Sequence, residues 1–545
     1  MNASELFVKC LEEEGVKHIF GVPGEENQDF LFAIEESSIK FIPTRHEQGA
    51  AFMANVQGRL TGKAGVCLST LGPGATNLLT GIADANLDKA PLVAITGQGS
   101  TKRMHHESHQ MIDVMQMFGK ITKYSTSISR AEIIPEVVRA AFKFAEREKP
   151  GATHIELPED VAKVMVESNS TVVPKKNVRR SAPNKEALTE VQALLAKSKK
   201  PLLLAGNGAI RSSASSALCS FTKKHNIPVV STFMGKGAIP ASDTRHIGTV
   251  GLGFKDYIIE AFEQADLVLA IGYDIAEYDP LHWNVGEEKK IVHIDFEEAP
   301  VYREYNPTVE IIGDIAGTLN LLSSGSDLKF DLDWVKPIKE NIDSSINNYK
   351  QEDDSMVFHT PGVLHAVREV LPDDGLVISD VGSHKMWIAR NFPCETPNGC
   401  IISNGLASMG ISLPGGVAAN LNNPDQAIIS IMGDGGALMN IQEIETAKRL
   451  GLGFIILILN DNNYGLIKWK QQMDESKDYG TNLTNPDFVK LAESFHIKGY
   501  KPTSIKEFKK QLQSAIKEKE LALFEVPIST DVNNELIEEL KGYFS

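Results

Sequence analysis

The sequence predicts an α/β protein made of three doubly wound domains, each built on a parallel sheet. Short apolar runs without alternation, such as Pro201–Ala205 and Leu267–Ile271, recur along the chain. Runs of this kind are typical of parallel strands that are buried on both faces. Each run is followed by a glycine-containing turn and a helical pattern, as in βαβ units. We therefore expect ligands at the carboxyl ends of the strands.

Two polar stretches divide the chain into three parts of ordinary domain length. Residues 167–185 are rich in Ser, Thr, Asn, Lys, Arg and Pro, and residues 323–355 are polar and charged around an amphipathic patch at 334–338. We interpret both stretches as linkers. The predicted domains are an N-terminal domain over 1–166, a central domain over 186–322 and a C-terminal domain over 356–530.

Bulk composition narrows the class of protein. The 545 residues carry a formal net charge of −16, which argues against nucleic acid and anionic membranes as partners. The N-terminus lacks the basic and apolar regions of a signal peptide, and the most apolar stretch, 454–459, is too short to span a bilayer. The cysteines are widely spaced, as free thiols in a reducing compartment would be. We expect a soluble cytoplasmic protein.

The most specific segment is a predicted strand over 428–432 that ends in Gly433-Asp434-Gly435-Gly436. Glycines allow backbone amides to approach a phosphate closely, and a following helix, predicted over 440–450, favours the negative charge. The Asp434 carboxylate would repel a diphosphate. A hard cation between the two removes this repulsion, and Mg²⁺ with oxygen ligands is the usual choice. By itself, Gly-Asp-Gly also fits an ordinary turn.

A second oxygen donor follows the next predicted strand, at 454–459. Asp461 comes shortly after it, within Asn460-Asp461-Asn462-Asn463. If the two strands are neighbours, both carboxylates lie at one edge of the sheet. The arrangement resembles the thiamine diphosphate motif. That resemblance implies three Mg²⁺ ligands, which are Asp434, Asp461 and the carbonyl of Asn463. It also implies that the cofactor is bound by three glycines, Gly433, Gly435 and Gly436.

A glutamate in the N-terminal domain is a candidate for activating such a cofactor. Glu47 begins a predicted helix of small residues, which suits a buried carboxyl group. Burial raises the pKa of a carboxyl group and strengthens its hydrogen bond to the aminopyrimidine ring. The segment alone also fits a carboxylate at a helix N-terminus. However, its RHEQGAAFMA string resembles the activating segment of pyruvate oxidases and acetolactate synthases, which favours the catalytic role.

The resemblance to acetolactate synthase, and to its catabolic type in particular, extends over nearly the whole chain. It is carried by GVPGE at 21–25, STLGPGATN at 69–77, HQMID at 109–113 and DVGSH at 380–384. It implies that pyruvate is decarboxylated on thiamine diphosphate and that the two-carbon unit joins a second pyruvate, giving 2-acetolactate and CO₂. It places pyrimidine binding in the N-terminal domain and diphosphate and Mg²⁺ binding in the C-terminal domain.

The same resemblance implies further roles by matched position. Gln110 would face the substrate, and Met409 would hold the cofactor bent. Additional cofactor contacts would come from Gly382, Ser383, His384 and Tyr464. In this family, Glu47 of one subunit reaches the cofactor that Asp434 of another subunit holds. A homodimer or homotetramer is therefore implied, with pyruvate as the small-molecule substrate.

Flavin and the acceptor substrate are the main open points. The stretch after 267–271 lacks the arginine- and aspartate-rich segment of the biosynthetic, FAD-bearing enzymes, and Glu159 replaces their lysine. Residues 229–237 nevertheless resemble the FAD-bearing form, so FAD stays an alternative to our expectation of an FAD-independent enzyme. Lys470 occupies a position where the catabolic enzymes have glutamine. Lys468 and Lys470 also fit a helix face in solvent.

Other function classes also remain open. The chain fits another thiamine diphosphate 2-keto acid decarboxylase or carboligase, or a pyruvate oxidase with a redox-active flavin. A catalytically inactive binding homologue is the alternative outside enzymes. The joint presence of Glu47, Asp434 and Asp461 argues against it.

Overall fold

The computed structural model describes residues 1–544 except 168–170, 177, 253, 287–288 and 326. The N-terminal sheet is parallel, with strand order β2-β1-β3-β4-β6-β5. Its strands are β1 (His18–Gly21), β2 (Lys40–Pro43), β3 (Gly65–Ser69), β4 (Leu92–Gln98), β5 (Tyr124–Ser127) and β6 (Ala152–Pro158). The helices of this part are α1 (Ala3–Glu14), α2 (Gln28–Glu35), α3 (Glu47–Thr61), α4 (Pro73–Leu87), α5 (Val114–Phe118), α6 (Ile134–Glu146) and α7 (Glu159–Ala162).

The central sheet is also parallel, with strand order β12-β11-β10-β7-β8-β9. The chain runs outward from β7 in one direction and from β10 in the other, so the topological switch point lies between these two strands. Its strands are β7 (Pro201–Ala205), β8 (Val229–Thr232), β9 (His246–Val250), β10 (Leu267–Ile271), β11 (Lys290–Asp295) and β12 (Val309–Ile312). Its helices are α8 (Lys185–Lys197), α9 (Asn207–Arg211), α10 (Ser215–His225), α11 (Ile259–Gln264), α12 (Ile315–Ser324) and α13 (Lys336–Asn348).

The C-terminal sheet has strand order β13-β19-β17-β16-β14-β15, with β18 beside β19. Here the switch point lies between β14 and β16, which pair in parallel. The strands are β13 (Phe358–His359), β14 (Leu376–Ser379), β15 (Cys400–Ile402), β16 (Ile428–Gly433), β17 (Ile455–Asn460), β18 (Lys498–Tyr500) and β19 (Ala522–Ser529). The helices are α14 (Thr360–Val370), α15 (Ser383–Asn391), α16 (Ser412–Asn422), α17 (Asp434–Asn440), α18 (Glu443–Arg449), α19 (Gly465–Glu475), α20 (Phe488–Ser494), α21 (Ile505–Lys517) and α22 (Asp531–Phe544). The predicted fold class, three α/β domains on parallel sheets, is confirmed.

The chain forms two compact units. The first comprises 1–178, 405–425 and 438–453, and therefore includes the N-terminal sheet together with α16 and α18. Its core contains Phe7, Phe30 and Phe142. The second comprises 179–404, 426–437 and 454–545, and holds the central and C-terminal sheets. A continuous apolar cluster in this second unit joins the two sheets, with Phe262 from the central part and Trp387 from the C-terminal part.

Local predictions around the glycine segment need correction. No separate turn follows β16, because Gly433 ends the strand and Asp434 begins α17 directly. The helix predicted over 440–450 is wrong in its bounds, since α17 ends at Asn440 and α18 begins at Glu443. The Asn440 side-chain amide donates to the Gly410 carbonyl at 2.8 Å, which ties down the end of α17.

The second predicted linker also contains regular structure. Helix α13 occupies 336–348, and its Ile338 and Ile342 are buried. The polar composition of 323–355 concealed an amphipathic helix, whose apolar residues recur at helical spacing. Residues 168–170, 177 and 326 of the two predicted linkers lie outside the described residues. The domain boundaries stay predictions.

The described part of the chain contains no helix with both the length and the hydropathy needed to cross a bilayer.

Candidate active site

The two carboxylates that the sequence indicates lie side by side at the carboxyl ends of two strands of the C-terminal sheet. Strands β16 and β17 are parallel neighbours, with Gly433 paired to Leu459. Asp434 follows directly on β16, and Asp461 follows directly on β17. Their carboxyl groups are close enough to share a hydrogen bond. The structure therefore brings together two oxygen donors that come from different strands.

This pair is electrostatically costly without a cation. Burial raises the pKa of Asp461 to about 7, with repulsion from Asp434 as the next cause. Burial likewise raises the pKa of Asp434. In the described residues no three His, Cys, Asp or Glu side chains gather as a metal site, so a cation here would use the two carboxylates with backbone or cofactor oxygens. Hard, oxygen-ligated Mg²⁺ fits this donor set.

Amide side chains fix the orientation of the pair. Asn485 donates from Nδ2 to Asp434 Oδ2 at 2.6 Å and is also within hydrogen-bond distance of Asn460 and Asn462 oxygens. The Asn463 backbone N–H donates to Asp461 Oδ1 at 2.9 Å. These contacts supply one fixed donor to an oxygen of each carboxylate. The predicted ligand role of the Asn463 carbonyl stays a prediction.

The segment after β14 begins at the same switch point, because β14 is the parallel neighbour of β16. Gly382 precedes α15, and Ser383 and His384 form its first turn. Burial lowers the pKa of His384 to about 4, so its ring is neutral at neutral pH. Its Nε2 is buried, and among the described residues no group makes a hydrogen bond with it. The other ring nitrogen donates to the Asp380 carbonyl, so Nε2 of the neutral ring is an acceptor. A buried acceptor without a partner is costly, and a bound water or another donor would satisfy it.

The glycines of the segment permit close packing. A β-carbon on Gly435 would lie 2.9 Å from Cε1 of Tyr464, and one on Gly436 would lie 2.9 Å from Oδ1 of Asp380. A β-carbon on Gly433 would lie 3.5 Å from Nδ1 of His384. Tyr464 and His384 therefore border the glycine segment, as expected for residues around a shared ligand. Their contact with a cofactor stays a prediction.

Lys468 and Lys470 differ in their surroundings. Lys468 donates from Nζ to Asn463 Oδ1 at 3.1 Å, whereas Lys470 is exposed on α19. Lys470 therefore fits the interpretation as a helix residue in solvent. The acceptor specificity that its position left open stays open.

In the first unit, Glu47 begins α3 and is buried, with 8% of its surface exposed. Asn77 of α4 donates from Nδ2 to Glu47 Oε2 at 2.9 Å. Gly74 lies on the other side, where a β-carbon would be 3.3 Å from Glu47 Oε1. Burial and one directed hydrogen bond thus fix the carboxyl group, as an acid–base role would need.

The other two predicted residues of this unit are less enclosed. Gln110 is exposed and has a φ of 58°, and its carbonyl oxygen would lie 2.5 Å from a β-carbon on Gly72. Gly72, with a φ of 50°, can take this close approach because it has no side chain. Met409 is half-buried beside Gly410. The roles of Gln110 and Met409 stay predictions.

The central sheet has a glycine-containing turn at its own switch point, but a carboxyl group of the protein already accepts from a backbone amide there. Gly206 and Asn207 follow β7, and their neighbour strand β10 leads to Glu277. Both Glu277 carboxyl oxygens accept from the Asn207 backbone N–H, at 3.2 and 3.0 Å, and Thr232 donates to Oε2. Burial raises the pKa of Glu277 to about 7.

Comparison with known proteins identifies the family. Models of the thiamine pyrophosphate enzyme match three regions: the N-terminal TPP binding domain over 1–117, the central domain over 188–322 and the C-terminal TPP binding domain over 380–526. Acetolactate synthase of Bacillus subtilis is 33% identical, covering 97% of this chain and 94% of its own. The chain belongs to the acetolactate synthase family.

Other members of the acetolactate synthase family are similar over comparable lengths. The catabolic acetolactate synthase of Raoultella terrigena is 32% identical, covering 99% of this chain and 97% of its own. The large subunit of acetolactate synthase isozyme 2 of Escherichia coli is 32% identical, covering 92% of this chain and 90% of its own. The resemblance that the sequence motifs indicated is confirmed.

Three residues that border this family's predicted site carry no assigned role in the sequence analysis. Asn485 is far from Asp434 in the chain, and an asparagine before a proline predicts only a turn. Glu443 lies within the misplaced helix, and its partners, the Arg45 and His46 amides, are distant in the sequence. Asn77 lies inside the STLGPGATN string, and the pairing of Asn77 with Glu47 required the packing of α3 against α4.

Proposed function

We propose that this chain is a thiamine-diphosphate- and Mg²⁺-dependent acetolactate synthase. It decarboxylates pyruvate and joins the remaining two-carbon unit to a second pyruvate, giving 2-acetolactate and CO₂. The observation that carries the proposal is a buried, oriented Glu47 in a chain whose relatives over nearly full length are acetolactate synthases.

The site residues divide the work between binding and proton transfer. Asp434 and Asp461 hold Mg²⁺, which neutralises their mutual repulsion and the charge of the diphosphate. His384, neutral and with an unpartnered buried Nε2 that accepts, would take a hydrogen bond from a water at the diphosphate. Thiamine diphosphate, when bound, supplies the electron sink for decarboxylation. Glu47 would transfer a proton at its carboxyl group, in an orientation that the Asn77 amide fixes.

The geometry of the central domain supports an enzyme without FAD. A dinucleotide places its diphosphate at the switch point, where the backbone amides after the first strand donate to it. Here the Glu277 carboxyl group already accepts from the Asn207 amide. A diphosphate would meet a buried carboxyl group in place of a donor. This geometry supports an enzyme that works without flavin.

One assay tests the proposed reaction directly. Purified protein is mixed with Mg²⁺, thiamine diphosphate and pyruvate without FAD, and acetolactate is measured as acetoin after acid treatment. We expect acetoin to form and added FAD to change nothing. Acetaldehyde without acetolactate would indicate a decarboxylase instead. Product that appears only with FAD would overturn the flavin-independent assignment.

A variant of Glu47 tests the proton-transfer role. Glu47→Gln should lower turnover by about 100-fold or more, since positioned acid–base groups contribute about 10²–10⁴-fold. Binding of Mg²⁺ and thiamine diphosphate should be retained, which calorimetry can measure. Glu136→Gln, at an exposed position on α6, is the matched control. Unchanged turnover in Glu47→Gln would sink the assignment.

We also propose that the active unit is a homodimer or a homotetramer with shared sites. If Glu47 and Asp434 of one site come from different subunits, mixed dimers of Glu47→Gln and Asp434→Asn chains contain one intact site. Random exchange makes half of the dimers mixed, so about a quarter of native activity should return for a twofold dimer. No recovery, with subunit exchange verified by mass spectrometry, would contradict shared sites.

The cytoplasm stays the predicted location. None of the five cysteines, all of which lie in the described part of the chain, forms a disulfide.

A further inference from the structure

Glu443 is a fully buried carboxyl group with no role in the chemistry described so far. It begins α18, in the same unit as Glu47. Its Oε1 accepts from the backbone N–H groups of Arg45 and His46, at 3.0 and 3.2 Å. Its Oε2 accepts from the Thr446 hydroxyl at 2.6 Å. Protein donors therefore satisfy both oxygens of this side chain.

The two amides that Glu443 binds immediately precede Glu47. His46 is the N-cap of α3, in extended conformation, and its own ring Nδ1 accepts from the Gln48 N–H at 3.0 Å. The helix is thus already capped locally. The amides of Arg45 and His46 lie before the first helical residue, where the chain offers no regular hydrogen-bond partner. Glu443 supplies that partner from a helix distant in the sequence.

Two further contacts show that α18 braces this segment. Arg449, in the last turn of α18, donates to the Pro43 carbonyl. Gly49, in the first turn of α3, faces the carboxylate, since a β-carbon there would lie 2.7 Å from Glu443 Oε1. The close approach of Glu443 therefore requires glycine at position 49. Helix α18 contacts the chain on both sides of Glu47.

We infer that Glu443 is a positioning residue for Glu47. By binding the Arg45 and His46 amides it fixes the backbone at Glu47, while Asn77 fixes the carboxyl group. This role rests on the proposed function, in which Glu47 acts on thiamine diphosphate. Displacement of an acid–base group by an ångström or less is enough to cost about tenfold to 100-fold in rate.

The first experiment probes the backbone of the cofactor-free protein. Native protein and Glu443→Ala are compared by hydrogen exchange of peptides that cover 44–50 and, as an internal reference, 65–69. We expect exchange at 44–50 to become at least about tenfold faster in Glu443→Ala, with 65–69 unchanged. Unchanged exchange at 44–50 would overturn the inference. Lys448→Ala, on the exposed face of the same helix, is the matched control.

The second experiment uses the holoenzyme with Mg²⁺ and thiamine diphosphate and measures proton exchange at C2 of the cofactor, without pyruvate. Glu443→Gln keeps an acceptor oxygen for the amides and should stay within about threefold of native. Glu443→Asp keeps the charge but shortens the side chain, and should be slowed about tenfold, as should Glu443→Ala. If Glu443→Ala does not fold, the order of the Gln and Asp variants decides. An Asp variant as fast as native, or a Gln variant slower than the Asp variant, would overturn the positioning role.

Glu47→Gln, run in parallel, separates this inference from the proposed function. Normal C2 exchange in Glu47→Gln would remove the assumed role of Glu47 itself. Slow exchange in Glu47→Gln with native exchange in Glu443→Asp and Glu443→Ala would remove only the role of Glu443. For pyruvate turnover, a positioning role further requires that kcat falls while the KM for pyruvate changes by less than about twofold.

Discussion

The central and C-terminal sheets are similar at the carboxyl ends of their strands, where buried carboxyl groups lie beside glycine residues, but these carboxyl groups have different partners. In the C-terminal sheet, Asp434 and Asp461 follow adjacent strands, and their carboxyl groups face each other. In the central sheet, a single carboxyl group, Glu277, turns back onto the Asn207 amide. Burial raises the pKa of a carboxyl group in both places.

The difference lies in which partner each carboxyl group lacks. Glu277 has donors from the protein on both oxygens, so its edge is complete without a ligand. Asp434 and Asp461 repel each other, and a divalent cation removes that repulsion. A glycine turn after a buried strand is therefore insufficient to indicate an anion site. Whether the turn can bind an anion depends on which group already accepts hydrogen bonds from its backbone amides.

The largest expected effect comes from neutralising one of the two carboxylates at the carboxyl ends of β16 and β17. Asp434→Asn keeps the size of the side chain but removes one ligand charge. Because loss of a residue that merely orients a metal ligand costs about 10–100-fold in affinity, loss of the ligand itself should weaken Mg²⁺ binding by at least about 100-fold. Isothermal titration of Mg²⁺ in the presence of thiamine diphosphate measures this.

The control for that variant is Asp374→Asn. Asp374 is exposed and precedes β14 at the opposite edge of the same sheet. Its replacement should leave Mg²⁺ affinity unchanged. Equal affinities for native protein and Asp434→Asn would remove Asp434 from the ligand set.

The second prediction concerns the central edge and its dependence on pH. The folded-state pKa of Glu277 is raised to about 7, above its value in the unfolded chain. As pH rises from about 4.5 to about 7, the unfolded chain loses this proton while the folded chain keeps it, so stability falls through this window. Each pKa unit is worth about 1.4 kcal/mol, so the loss is on the order of 3 kcal/mol.

Glu277→Gln cannot titrate and should escape this loss. Relative to the native protein, its Tm should rise by a few degrees between pH 5 and pH 8, which differential scanning fluorimetry can follow. Glu298→Gln, at an exposed position, should run parallel to the native protein at every pH. A constant difference between Glu277→Gln and native protein across the window would mean that Glu277 is ionised in the fold throughout.

Sequence patterns located the strands well because buried parallel strands are continuous apolar runs. Strands β7 and β10 begin and end where predicted. The same patterns placed Asp434 and Asp461 at the ends of two strands, and the pairing of β16 with β17 makes them neighbours. The helices after β16 were misplaced, because the break at 441–442 depends on the tertiary contact of Asn440 with Gly410.

Contacts between distant segments were outside the reach of these patterns. Glu443 lies 397 and 398 positions from the amides it binds, and no local spacing predicts such a contact. The contact of Glu277 with the Asn207 amide likewise depends on the pairing of β7 with β10, which local spacing does not predict. Motifs reveal residues that act at strand ends, whereas residues that hold those ends in place are found from packing.

The smallest expected effect comes from replacing Asn485, an uncharged residue that orients the carboxyl group of Asp434. Its Nδ2 binds Asp434 Oδ2, so Asn485→Ala should free that oxygen and weaken Mg²⁺ binding by about tenfold, the scale for partners of metal ligands. Asn347→Ala, on the exposed surface of α13, is the matched control. An Asn485→Ala affinity equal to that of Asp434→Asn would instead assign Asn485 to the metal itself. An unchanged affinity would mean that the Gly433–Gly436 backbone alone orients Asp434. In either case the two sheets would differ in which groups orient their carboxyl groups, and not only in which partners those carboxyl groups bind.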